Sequence, residues 1–187
     1  MKILKPFKSA TKASITQGFH SAHLANDFGG KFGEFLVAPF NAKVASITGI
    51  ESDADTPDWG SLTNGYGIRL ISMEDPTLSC TYWHCQPVFP YKKEYYVDAG
   101  KVVAMMGNSG FVVAGGGIVE VDRKLIPPYP GTHVHWSMGT QVGDQYTHLD
   151  PSTLIDWTTP VNYSFLETAY LFVLSLTNYL KGRNIIN

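Results

Sequence analysis

Apolar and polar residues alternate with a period of two in the first quarter of this chain. Between residues 13 and 50 the alternating stretches lie between Gly, Asn and Pro breakers, the punctuation of short strands joined by turns. Val37-Ala38-Pro39-Phe40-Asn41-Ala42-Lys43-Val44-Ala45-Ser46-Ile47 reads as a turn followed by a strand. Gly67-Ile68-Arg69-Leu70-Ile71-Ser72 and Cys80-Thr81-Tyr82-Trp83-His84-Cys85 read as two more, with a turn at Asp75-Pro76 between them. Residues 101–106 give a short strand that ends in a glycine-rich turn, and Gly131-Thr132-His133-Val134-His135-Trp136 gives another strand. Residues 51–63 are acidic and turn-rich, as expected of a surface loop. Residues 111–131 contain Gly115-Gly116-Gly117 and Pro127-Pro128 and are expected to form a long mobile loop. There are no internal repeats.

The period changes after Pro160. Residues 163–180 contain no Gly or Pro, and Phe165, Ala169, Phe172, Leu176 and Leu180 follow helical spacing. Leu166, Val173 and Leu174 widen the apolar face, while Glu167 and Asn178 interrupt it. The run falls at the short end of the ~20 residues a membrane span requires. It is expected to be a helix packed on the β domain, on a second copy or on a partner, with an interfacial membrane helix as the secondary reading. The predicted organisation is a β domain over residues 1–160 and a helical extension over residues 161–187.

Composition narrows the class. A chain of 187 residues with 44% hydrophobic and 16% charged residues can bury one full core. Eighteen glycines and eleven prolines fit the many turns of an all-β fold. A net charge of −2 leaves no basic footprint, so nucleic acid is excluded as a partner. Cys80 and Cys85 are too few for a disulfide framework and are expected to be buried thiols. The N-terminal Met1-Lys2-Ile3-Leu4-Lys5-Pro6 is basic without an apolar run, so it does not read as a signal peptide.

The chemistry concentrates in two motifs, His23-Leu24-Ala25-Asn26-Asp27 and His133-Val134-His135. They hold three of the chain's six histidines. Two imidazoles and a carboxylate form a zinc set that leaves a fourth position open. On a strand, His133 and His135 project to one side about 6.5 Å apart, so one can bind a metal while the other works beside it. His20, three residues before His23, is a weaker candidate for the same groove. His148, beside Leu149-Asp150-Pro151, reads as a surface or capping residue, and Asp150 as a turn or helix-start device. Tyr66, Tyr82 and Trp136 read as core or groove-wall residues.

These motifs resemble the lysostaphin-type (LytM-type) zinc endopeptidases that cut peptidoglycan. In that family a His-x-x-x-Asp supplies two ligands and the second histidine of a His-x-His supplies the third. Tyr82-Trp83-His84 matches the family's Tyr-x-His, and the glycine-punctuated hairpin ending Gly107-Asn108-Ser109-Gly110 has its counterpart there. The match runs in order from about Ile15 to Leu154. The resemblance implies an antiparallel β catalytic domain with a groove, zinc held by His23, Asp27 and His135, and catalytic roles for His133 and His84. It makes His133 the leading base or proton shuttle and His84 the group that orients water or stabilises the tetrahedral intermediate, with the division between them open. It implies a peptidoglycan peptide as substrate and action on the cell wall, outside the cell or in the periplasm; without a signal peptide, phage-type release would be the route. Ala25 stands where the family often has Gly, Cys85 where it has Leu, and segments 51–63 and 111–131 are longer. These departures bear on loop shape and leave the ligand set intact. Two other classes fit the pattern less well. A non-enzymatic wall-binding or activator relative has no need for a complete ligand set, and a histidine phosphocarrier domain has no need for His-x-x-x-Asp.

Overall fold

The alternation becomes one large antiparallel sheet in the computed structural model of the chain, which describes residues 2–48, 65–87, 93–119 and 126–163, together with Ala169 and Val173. β1 (Ile3–Leu4) and a 3-10 turn (Lys12–Ser14) lead into β2 (Ile15–Gln17), β3 (Asn26–Gly29), β4 (Phe35–Val37) and β5 (Ala42–Thr48). β6 (Tyr66–Ser72), β7 (Leu78–Pro87), β8 (Tyr96–Val97) and β9 (Val102–Met105) follow. The chain then forms β10 (Val113–Ala114), β11 (Gly117–Ile118), β12 (His133–Val142), β13 (Gln145–Leu149), the helical turn α1 (Pro151–Leu154) and β14 (Ile155–Asp156). The main sheet has the order β2-β3-β12-β7-β6-β5-β8, with β13 on the far half of β12 and the β4–β9 pair joined to the end of β7.

Alternation decides which face is dry. On β12, Val134, Trp136 and Met138 are buried while His133, His135 and Ser137 lie on the other face. On β6 and β7, Ile68, Leu70, Cys80 and Tyr82 join the same core. Trp136 sits at its centre, 5.4 Å from Tyr82 and 5.9 Å from Phe28 between ring centroids. Each such side chain contributes about 1.5–3 kcal/mol by leaving water, so the inner face holds the sheet and leaves the outer face available for chemistry. Tyr82 satisfies its buried hydroxyl by donating to the Val37 carbonyl at 2.9 Å, and Tyr66 is also in the core.

Several turns were expected and one was not. Asp75 accepts bonds from the Thr77 amide and hydroxyl at 3.0 and 2.6 Å, which fixes the turn at Asp75-Pro76. β13 was not foreseen: Val142 pairs with Gln145 across a two-residue hairpin, and Gly143 takes the left-handed φ of +59° that such a hairpin requires. Part of the stretch expected as one long loop is a small hairpin, with Val113 opposite Ile118. The loop expected at 51–63 lies outside the described residues.

The expected helix over residues 163–180 also lies outside the described residues, apart from Ala169 and Val173, which are helical and exposed. Tyr163 is not helical. Its ring meets Phe35 edge-on at 5.6 Å and its hydroxyl donates to the Phe35 carbonyl at 3.2 Å. Val161 is buried beside Val37 and Val102. Val161 and Tyr163 thus both pack on the β domain. Among the described residues no helix is long and apolar enough to cross a membrane.

Candidate metal centre

β3 and β12 place the first pair of functional groups face to face. The strands are antiparallel, and their register sets His135 directly opposite Asp27. His23 is brought in by the turn before β3, where His20 and His23 exchange two backbone hydrogen bonds of 2.9 Å. Asn26 fastens this segment from below. Its buried amide donates to Asp150 Oδ1 at 2.7 Å and its side-chain oxygen accepts from the Phe19 amide at 2.8 Å. Asp150 Oδ1 also accepts from the Ser152 amide and so caps α1.

His23 Nε2, Asp27 Oδ1 and His135 Nδ1 form a small triangle. Its sides are 3.3 Å from His23 to Asp27, 2.9 Å from His135 to Asp27 and 3.3 Å from His23 to His135. Three donors each about 2.0–2.1 Å from one tetrahedral zinc would lie ~3.3 Å apart. The group could thus hold a metal ion. Two further observations fit a cation at this point. His23 Nδ1 lies 3.2 Å from the Gly18 carbonyl; a carbonyl only accepts, so Nδ1 carries the proton and Nε2 turns a bare lone pair to the triangle. Asp27 Oδ1 is sealed from solvent and accepts no well-directed hydrogen bond, a costly state for an anionic oxygen unless a cation meets it. Burial works to raise the Asp27 carboxyl. The contact with His135 and the His133, His135 and His23 imidazoles outweigh burial and hold it below the usual carboxylate value.

His133 and His84 stand beside the triangle. His133 Nδ1 donates to the Gly131 carbonyl at 2.8 Å, which leaves Nε2 bare in the neutral ring and 4.0 Å from Asp27 Oδ2. His84 reaches the same face by a different device. Trp83 is paired with His135, so strict alternation would point His84 into the core. An extra residue in β7 between the pairs Ile68–Tyr82 and Tyr66–Cys85, with φ of +61° at His84, turns the imidazole back. A bulge used to re-aim a side chain is common beside active sites. The ring centroid of His84 is then 4.7 Å from that of His133 and 6.0 Å from that of His135. Burial, followed by the His133 imidazole, pushes the His84 pKa down to about 4. His84 is therefore uncharged at neutral pH, with Nδ1 donating to the Ser109 carbonyl at 2.9 Å and Nε2 bare.

Ser109 is the bolt of this arrangement. Its hydroxyl donates to the Cys85 carbonyl at 2.7 Å and accepts from the Tyr66 amide at 2.9 Å. The residue before it but one, Gly107, accepts from the His133 amide at 3.1 Å. Ser109→Ala should lower the unfolding free energy of the protein by about 1–3 kcal/mol, because two buried backbone groups lose their partner. Urea denaturation curves of the two proteins measure this, and coincident midpoints would remove Ser109 from the supporting role.

All five residues singled out in the motifs converge on one patch. His20 does not enter the triangle; its exposed ring lies 5.7 Å from that of His23, and its Nδ1 accepts from the Ala22 amide at 3.3 Å. His148 sits on β13, with its ring edge-on to Tyr146 at 4.9 Å. Cys80 and Cys85 are free, buried thiols. Burial raises both thiol pKa values, that of Cys80 to about 12. Asn26 and Ser109 escaped the sequence reading. The signal for Asn26 was its position: next to an outward-facing Asp on a strand, it has to face the core.

No family model matches the chain, and no curated protein matches it. Solved structures do. Csd3 of Helicobacter pylori aligns with a TM-score of 0.55 and 14% identity, over 96% of this chain and 42% of that one. The solution structure of lysostaphin aligns with a TM-score of 0.50 and 16% identity, over 81% of this chain and 57% of that one. A zinc containing peptidase from Vibrio cholerae aligns at 0.48 and 17%, over 79% of this chain and 39% of that one. The chain thus spans between about two-fifths and three-fifths of these proteins. The architecture is the lysostaphin/LytM fold: a mostly antiparallel β domain with the His–Asp–His group on the open face of its sheet.

Proposed function

We propose that this chain is a zinc-dependent endopeptidase that hydrolyses peptide bonds in peptidoglycan stems or cross-bridges. The observation that carries the reading is the triangle of His23 Nε2, Asp27 Oδ1 and His135 Nδ1 at 2.9–3.3 Å, flanked by two histidines whose Nε2 atoms are bare. A zinc ion in the triangle would polarise the scissile carbonyl and acidify a water toward pKa ~7. The chain's own residues divide the remaining work. His133 Nε2 takes a proton from the attacking water and delivers it to the leaving amine nitrogen. His84 is held as an acceptor by the Ser109 carbonyl, so it orients the water and is the wrong tautomer to donate to an oxyanion. Asp27, His23 and His135 would hold the ion at the triangle. The place of action is the cell wall, and the substrate enters across the open face of the sheet.

The test is digestion of purified walls of known chemistry by zinc-loaded protein, with and without chelator, followed by mass spectrometry. New amino termini within the peptides are expected with zinc and not with chelator. Walls that bind the loaded protein but keep their peptides intact would assign the chain to the non-enzymatic wall-binding class.

A further inference from the structure

The face of the sheet that carries the triangle continues into a cleft of about 380 Å³. Its floor is built by cross-strand register. Ser46, Arg69, Thr81 and Ser137 lie side by side across β5, β6, β7 and β12, and all four line the cleft. Two aromatic rings wall it, each lying over a glycine. A Cβ on Gly67 would stand 2.3 Å from the Trp83 ring, and one on Gly139 would stand 2.5 Å from the Tyr146 ring. Any other residue at these two positions would displace the rings. Trp83 is the strand partner of His135, so one wall of the cleft abuts the metal centre.

Arg69 brings a permanent charge to the described residues that line this cleft. Its side chain crosses toward β7, donates to Ser79 Oγ at 3.2 Å and places its guanidinium 5.9 Å from the Tyr146 ring centroid. Among the described residues no carboxylate pairs with it. A guanidinium presents a planar fork of donors that matches a carboxylate. This one is half-buried, braced on both sides and flanked by the hydroxyls of Thr81 and Ser137. Bracing cuts the ordering cost of binding. A neutral ligand would leave a half-buried cation unmatched, which turns the same group into a filter.

Building on the peptidase reading, we infer that this cleft is a carboxylate subsite and that Arg69 selects peptides bearing a free carboxylate near the cleaved bond. Strand geometry sets the distance. Arg69 pairs with Thr81, two residues along β7 from the Trp83–His135 pair, and its guanidinium reaches Ser79 two residues further on; the displacement along the strands is roughly 7–13 Å, which an extended peptide spans in about two to four residues. The substrate class is thus an anionic stem peptide, and an uncharged oligoglycine bridge is disfavoured.

Calorimetric titration of the zinc-loaded protein tests this with two soluble probes. One is a stem tetrapeptide with its glutamate and C-terminal carboxylates free; the other is the same peptide with both amidated. Wild type should bind the acid form about 10–100-fold more tightly, the range for a hydrogen bond to a charged group. Arg69→Gln should erase that preference, and Arg69→Lys, which keeps the charge without the fork, should retain part of it. Equal affinities in wild type, or a preference that survives Arg69→Gln, would overturn the subsite. Digestion of amidated and non-amidated walls in parallel separates the two readings. An Arg69-dependent preference without cleavage of either wall sinks the peptidase and keeps the subsite. Cleavage without preference does the reverse.

Discussion

His135→Ala should leave the chain folded but empty of zinc, with wall hydrolysis down by more than about 10³-fold. The fold should survive because β12 is held through its backbone pairs with β3 and β7 and through Val134, Trp136 and Met138 on the opposite face. The metal should not survive. His135 Nδ1 closes two of the three sides of the triangle, and His23 and Asp27 alone make an incomplete set. Losing several kcal/mol of charge stabilisation at about 1.4 kcal/mol per tenfold gives the stated rate loss. Elemental analysis of protein purified without chelator reads the first effect, and amine release from walls reads the second. Asp27→Asn separates charge from shape: it keeps the side-chain volume and removes the anion, so it should also empty the site. Thermal unfolding adds a third readout. Zinc binds only the native state, so it should raise the wild-type midpoint and leave the variant's unmoved. Equal zinc in wild type and His135→Ala would sink the assignment of the triangle.

How far the sequence led is clearest on β12. Its period of two put His133 and His135 on one face and Val134, Trp136 and Met138 on the other, and the structure follows that pattern. Period alone could not say what stands opposite. The pairing of His135 with Asp27 is a matter of register between strands more than a hundred residues apart, and only the family resemblance pointed to it. β7 was less legible. By alternation His84 belongs in the core with Tyr82. The bulge that re-aims it depends on how β6 aligns with β7, and a single strand's sequence does not carry that information. The same backbone turn explains the cysteines. Cys80 and Cys85 are five residues apart, an odd spacing that strict alternation would split between faces; the extra residue in β7 restores the phase, and both thiols lie in the core. β13 is a different lesson. Gly143-Asp144 between Val142 and Gln145 is a recognisable two-residue hairpin signal, but β13 itself is exposed along nearly its whole length, so no buried alternation marks the strand that follows the turn. Arg69 looked like any strand residue until the register placed Thr81 and Ser137 beside it.

His133→Ala should keep zinc, fold and substrate binding and lose about 10²–10⁴-fold in hydrolysis, the usual range for a general acid–base group. The metal should stay because His133 is outside the triangle: its nearest approach to Asp27 is the 4.0 Å from Nε2 to Oδ2. The backbone should stay because the bond from the His133 amide to the Gly107 carbonyl does not involve the side chain. What disappears is one bare nitrogen, oriented by the Gly131 carbonyl and able to move a proton between the attacking water and the leaving amine. The loss should therefore fall on kcat with KM nearly constant, and added imidazole should restore a measurable part of the rate, since the cavity left by the side chain has the shape of the missing base. His84→Gln should lose rate too, but added imidazole should not rescue it, because the His84 ring is walled in by Ser109 and the buried turn. The double variant should be little slower than the slower single one, as expected when two groups act on the same water. Wall turbidity falling at the wild-type rate in His133→Ala would reject its role as the proton carrier. Loss of zinc from His84→Gln would make His84 a ligand and require a different metal set.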